Sequence, residues 1–487
     1  MICKRLRTKF VMALFSLFLF VFNFISPKAL FLVYAQTKND LNSYFIRNLQ
    51  DMAKIGSNSN VDILIQWEQP NKNGIWRYRV NAGSVDLLYH VAVPEKKDVV
   101  NDIVEFVRWG VGVCPRYDYV TLILSGHGSG FVDPSNFVPR GVLFDWESKN
   151  YLSNSQLISV LDRIKNSILG GKNLDLLGMD ACLMASIEMN YQIRSKVNIF
   201  VASEEVQHAD GWWYSEIFSE FKNKVLTPEE LAKRIVSTCG RFYENRIAWY
   251  TQSAVKVSEM EALKNVFNQI LVDLQSCKNS LGAPIISAVK TARKNCLQFN
   301  SPIYVDLHSF YFELYNQLKG KSLGRNIAYS SEEKLQAGDN SGLFMIDRSK
   351  VNLLEENYIP IVINDFSQKT TDASLDLTIT KTSDVVISNS EGLIDLKDLL
   401  NRIDDQDLEF DFTETKSPQI EQLKLDLLLG MQMIERSVIA NAAAKTFGRA
   451  KGISIYFPRN AYIEQTYVTT EFAKDTLWVQ FLMEYMR

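Results

Sequence analysis

Apolar residues cluster in short, nearly unbroken runs at residues 61–67, 85–93, 119–124, 174–177 and 198–202. Runs of this kind predict strands buried on both faces, the usual state of parallel strands. Between them, apolar positions recur at helical spacing over 41–55, 97–109, 155–168 and 183–194, and Ser153 and Ser155 are candidate caps for the third helix. Alternating strands and helices imply an α/β sandwich with a largely parallel sheet flanked by helices. In such sheets, ligands gather at the carboxyl ends of strands. Beyond residue 202 the pattern turns helical, over 227–245, 258–276, 284–297 and 305–318. Residues 319–415 differ, with β-rich runs at 358–362 and 374–380 among Ser, Asp and Asn turns, and predict an added β-rich module of unknown role. A helix is expected again over 420–445 and a strand over 452–458.

The N-terminus carries an export pattern. Lys4, Arg5, Arg7 and Lys9 precede an apolar stretch over 10–25. A second apolar run, 29–34, follows Pro27, with Val33 and Ala35 at the positions a signal peptidase reads. The expectation is a signal peptide over 1–35, cut after Ala35; an uncleaved anchor is the alternative. Both readings place the remainder outside the cytoplasm: secreted, periplasmic or at the cell surface. The expected organisation is then a signal over 1–35, the main α/β domain over 36–318, the module over 319–415, and a segment over 416–487 that returns to the core. The formal net charge is −3, and no basic block follows the first ten residues, which argues against nucleic acid as a partner. Any membrane contact would run through the N-terminal signal.

Two strand ends carry unusual residues. The run from Tyr119 to Leu124 stops in Ser125-Gly126-His127-Gly128-Ser129-Gly130, which exposes one histidine among residues small enough to let a substrate backbone approach. The run from Leu174 ends in Asp180-Ala181-Cys182-Leu183-Met184, placing a cysteine where a strand is expected to turn into a helix. A helix N-terminus lowers a thiol pKa, and a nearby imidazole can complete the activation. A turn histidine and a buried structural cysteine are the plainer alternatives. The glycine-rich stretch lacks the spacing and lysine of a phosphate loop, and its central residue is not the serine of a hydrolase elbow. Zinc would need a third ligand, and His90, His208 and His308 are isolated. Besides Cys182, the chain beyond the leader has Cys114, Cys239, Cys277 and Cys296; the odd total leaves at least one thiol unpaired. The other four are open to pairing or to burial as free thiols.

Together the two motifs resemble those of the clostripain family of cysteine peptidases, relatives of caspases, in which a histidine lies about 50 residues before an Ala-Cys nucleophile; here the separation is 55. Similarity extends to Asn39-Asp40-Leu41, Arg77-Tyr78-Arg79, Ser203-Glu204-Glu205, Gly211-Trp212 and 452–458, covering about 39–318 and 420–487. The resemblance implies a caspase-like sheet and cleavage after Arg or Lys. It implies His127 as general base, Cys182 as nucleophile, and an oxyanion hole from the backbone N–H groups of Gly128 and Cys182. Asp180 matches an acid of the S1 pocket, and Asp210 a second, although Gln207-His208-Ala209 departs from the family's proline- and glycine-containing pattern. Relatives mature by cuts in the loop after the histidine, where Arg140 is the expected self-cleavage site and Lys149 its competitor. The implied protein is a monomer acting on proteins or peptides with a basic P1 residue. No metal or other cofactor is expected, and nothing in the sequence specifies calcium. The rival class is a non-catalytic surface or adhesion protein on the same scaffold, but such a protein normally loses the base or the nucleophile, and both are present.

Overall fold

A computed structural model describes residues 28–92, 98–130, 141–319, 352–353, 376–380, 384–389, 392–395 and 417–486. Most of the expected signal, Arg140 and the run 358–362 lie outside the described residues. The chain forms two compact units. One comprises Met1–Met184, Ser195–Ala254 and Ala440–Ala444, the other Ala185–Arg194, Val255–Ile439 and Lys445–Arg487.

The first unit is built on a sheet whose strands are β1 (Ala29–Gln36), β2 (Val61–Glu68), β3 (Ile75–Asn81), β4 (Ser84–Val91), β5 (Tyr119–Ser125), β8 (Leu174–Asp180), β9 (Val197–Ala202), β10 (Thr251–Lys256) and β16 (Val438–Ala443). A short hairpin, β6 (Val142–Asp145) with β7 (Asn150–Leu152), stands apart from it. The order across the sheet is β16-β10-β9-β8-β5-β1-β2-β3-β4. Strands β2, β1, β5, β8 and β9 are mutually parallel, whereas β3 pairs antiparallel with both β2 and β4. The α/β class read from the pattern of apolar runs is the class observed.

Helices cover both faces of β1. Its Tyr34 ring meets Phe106 of α1 (Val99–Val113) at 6.3 Å, and its Phe31 ring meets Phe218 at 4.8 Å from the opposite face. The tight approach of α1 is fitted to Gly110, since a Cβ there would lie 2.7 Å from Leu32 Cδ2. Every residue of β1 is buried. A cut after Ala35 would therefore remove seven of the eight residues of a central strand, and that boundary is corrected: the sheet requires the chain from Ala29 onward. The misreading has a physical cause, because a strand buried on both faces and a signal's apolar segment share one composition.

Two further expectations change. The run 85–93 gives β4, an edge strand with Leu87 49% and Leu88 46% exposed, because the sheet ends there. The long helix over 420–445 stops earlier, as Pro418–Ser437, and its last third becomes β16. In the second unit, aromatic rings of Phe267, Phe310, Phe457 and Trp478 interlock at 4.8–5.3 Å. Within 319–415, the described residues form a four-stranded sheet of Asn352–Leu353, Asp376–Thr380, Asp384–Asn389 and Gly392–Asp395.

Candidate active site

Strands β5 and β8 pair in register, with Ser125 opposite Asp180, and the Gly126 N–H donates to the Asp180 carbonyl at 3.2 Å. His127 and Cys182 each stand two residues beyond that pair, so their backbones emerge side by side, roughly one strand spacing of 4.8 Å apart. The loops stay close: a Cβ on Gly128 would lie 2.5 Å from the Cys182 carbonyl oxygen. Only glycine fits there.

The His127 ring is clamped on two sides. It stacks on Trp146, with centroids 5.4 Å apart and planes 6° from parallel. Its Nε2 lies 2.6 Å from Asp40 Oδ1. The loop bearing Asp40 is tied to the β6–β7 hairpin, where the Trp146 N–H donates to the Lys38 carbonyl at 3.0 Å and Asn39 Nδ2 donates to the Phe144 carbonyl at 2.8 Å. The carboxylate takes the Nε2 proton as its hydrogen bond and leaves Nδ1 as the nitrogen free to accept a proton. Sequence reading noted Asp40 only as part of a three-residue similarity and missed Trp146. With β1 read as leader, nothing marked the loop after it as a strand end.

Cys182 occupies a turn, not a helix N-terminus. The next helix, Ile187–Ile193, begins five residues later and is capped by Ser186. The expected lowering by a helix end is thus absent. Burial pushes the thiol above its ordinary range, opposed by hydrogen bonds from the Gln207 and Gly128 N–H groups. A thiol protonated at rest needs a base. The half-buried Sγ accepts the Gln207 N–H at 3.2 Å, and its S–H donates to the Gln207 carbonyl at 3.7 Å.

Asp180 is buried beneath the same loop, only 6% exposed. Its Oδ1 accepts from Gln207 Nε2 at 2.6 Å; its Oδ2 accepts from the Tyr214 hydroxyl at 2.9 Å and the Trp212 N–H at 3.4 Å. Burial raises this carboxyl from 3.8 to about 6 despite the three donors. Gly211, at φ +66°, comes so close that a Cβ would sit 2.8 Å from Asp180 Oδ2. Asp210 immediately precedes that glycine. Its carboxylate pairs with Arg47 at 3.1 Å, and its backbone N–H donates to His208 Nδ1 at 3.3 Å. His127, Gly128, Asp180 and Cys182 therefore converge, while Asp210 stands one residue before Gly211, engaged by the exposed Arg47, which the sequence did not flag. Lys149, the competing cleavage site, has φ +54° in the tight β6–β7 turn. All five described cysteines are free, and among the described residues no cluster of three or more His, Cys, Asp or Glu could hold a metal.

Comparison with known proteins bears on this arrangement. Over 112 residues the chain is 31% identical to clostripain of Hathewaya histolytica, a stretch that covers 22% of this chain and 21% of that protein. Among solved structures, an inactive zymogen C11 protease from Parabacteroides distasonis aligns with a TM-score of 0.47 at 14% identity, covering 93% of this chain and 98% of that one. A secreted C11 cysteine protease from Bacteroides thetaiotaomicron, in complex with an irreversible peptide inhibitor, aligns with a TM-score of 0.44 at 18% identity, covering 60% and 82%. The model of the clostripain family matches residues 33–322, from within β1 to just past Leu307–Leu318, and the chain belongs to that family.

Proposed function

We propose that this protein is an exported cysteine endopeptidase that cleaves after Arg or Lys, with Cys182 as nucleophile and His127 as base. The observation that carries the reading is the registered pair of strand ends, from which His127, its ring clamped by Asp40 and Trp146, and Cys182, approached by the side-chain-free Gly128, emerge on neighbouring strands. In the proposed reaction, His127 Nδ1 takes the Cys182 proton, and the thiolate attacks the peptide carbonyl carbon. The oxyanion is met by the N–H groups of Gly128 and Cys182. The imidazolium then protonates the leaving amine as the C–N bond breaks, which leaves a thioester. A water deprotonated by the same imidazole hydrolyses it and regenerates the thiol.

Asp180, together with Asp210 on the neighbouring loop, supplies the negative charge for a basic P1 side chain. The leader exports the chain, and the enzyme cuts itself after Arg140, in the loop between the base and Asn154–Ser167. One experiment addresses these points together. An arginyl acyloxymethylketone should label the wild type and not Cys182→Ala, intact mass should show two fragments with a new N-terminus at Gly141 only where Cys182 is present, and a peptide library should show Arg or Lys at P1. Labelling of Cys182→Ala would remove the nucleophile assignment. An uncut, fully active chain would remove self-processing, and best cleavage after apolar or acidic residues would remove the S1 reading.

A further inference from the structure

Gln207 hydrogen-bonds both the nucleophile and the buried acid. Its backbone grips Cys182 Sγ with the N–H at 3.2 Å and the carbonyl at 3.7 Å. Its side-chain Nε2 sits on Asp180 Oδ1 at 2.6 Å. Of the three residues bonded to that carboxylate, Trp212 and Tyr214 are fully buried and Gln207 is only half-buried, so Gln207 is the partner a ligand could displace. The carboxamide is also incompletely satisfied: Oε1 is buried without a hydrogen-bond partner among the described residues. A buried acceptor left open beside a carboxylate is a poor resting arrangement and a good receptor for a cation rich in N–H groups.

We infer that Gln207 is a positioning residue that couples occupation of the S1 pocket to release of the nucleophile. With the pocket empty, the carboxamide covers Asp180, and the S–H points at the Gln207 carbonyl instead of at the base. A P1 guanidinium or ammonium takes over Asp180 Oδ1 and donates to Oε1. The carboxamide turns aside, the backbone of Gln207 relaxes, and the thiol proton becomes available to His127. Thiol chemistry is then held back until a basic side chain has bound. The inference rests on the proposed role of Asp180 in S1.

Its test separates the two. Methylguanidinium fills S1 without covering the thiol, and the probe is the rate at which neutral iodoacetamide alkylates Cys182. In the wild type, saturating methylguanidinium should raise that rate about tenfold, as expected when a released state near 10% of the population becomes dominant. Gln207→Ala and the near-isosteric Gln207→Met should alkylate at the raised rate from the start and gain nothing from the ligand. Two variants guard against a local packing defect in either. If methylguanidinium inhibits cleavage of an arginyl substrate competitively yet leaves wild-type alkylation unchanged, or accelerates all three proteins equally, the coupling is overturned and S1 stands. If it does not inhibit at all, the S1 reading falls and the coupling falls with it.

Discussion

His127 and Asp180 show how much of a site is decided by what surrounds a titratable group. The imidazole bonds an Asp40 carboxylate that is 60% exposed, so water can partly replace that acid when it is removed. A buried acid behind a catalytic histidine contributes about 10⁴-fold, and an exposed one should contribute less. Asp40→Ala is expected to lower kcat by about 10–100-fold with little change in KM, and Asp40→Asn to recover part of the loss; unchanged steady-state kinetics in Asp40→Ala would dismiss the contact. Asp180 makes the opposite case, a carboxyl raised from 3.8 to about 6 by burial. The folded state holds this proton more tightly than the unfolded chain does. Its contribution to stability is therefore complete below the unfolded value and is lost as pH rises through about 6. For the proposed function the sign reverses, since an Asp180 charge serving a basic P1 side chain would disappear as pH falls through the same range. The kcat/KM of an arginyl substrate should then fall on the acid side more steeply than Cys182 alkylation by a neutral reagent. In Asp180→Asn the two profiles should coincide, and coincidence already in the wild type would place Asp180 outside S1.

At the scale of elements, the legible features were those in which one pattern has one physical meaning. The runs at 61–67, 119–124 and 174–177 each became a buried strand because each is apolar and bounded by turn residues. The helix over Asn154–Ser167 begins where Ser153 forms a capping box with Gln156. What failed were patterns with two meanings. An apolar strand after an apolar stretch reads as part of a leader, and the alanine-rich end of a helix reads as more helix, although Val438–Ala443 pairs into the sheet. Edge position cannot be read at all, since exposure of Leu87 and Leu88 depends on which strand comes last in the order. The candidate site divides likewise: the glycine-flanked histidine and the cysteine stood out, whereas Gln207, Arg47 and Trp146 matter through contacts that no spacing encodes. The boundary at β1 can be tested directly. Leu30, Phe31, Leu32 and Val33 are fully buried, and at about 1.5–3 kcal/mol per side chain their loss would rival the whole net stability of roughly 5–15 kcal/mol for a typical domain. A chain starting at Lys28 should fold with a cooperative thermal transition, and one starting at Gln36 should not; cooperative unfolding of the shorter chain would reinstate the cut after Ala35.

For the molecule as a whole, the division of labour follows the partition of the chain. His127, Cys182, Asp180 and Gln207 all belong to the unit built on the nine-stranded sheet. No helix among the described residues is long and apolar enough to cross a membrane. The second unit holds the two attachment points of the added module. Leu307–Leu318 leads into it and Pro418–Ser437 leads out, and the two helices touch so closely that a Cβ on Gly430 would meet Tyr311 at 2.7 Å. Packing between these two helices thus ties the two ends of the excursion to each other. In polymer terms, holding the ends of an excursion at fixed separation costs only about 0.6 kcal/mol more for each doubling of its length. Lengthening or shortening residues 319–415 should therefore cost stability that grows only logarithmically with length, while the helices at either end keep their own contact.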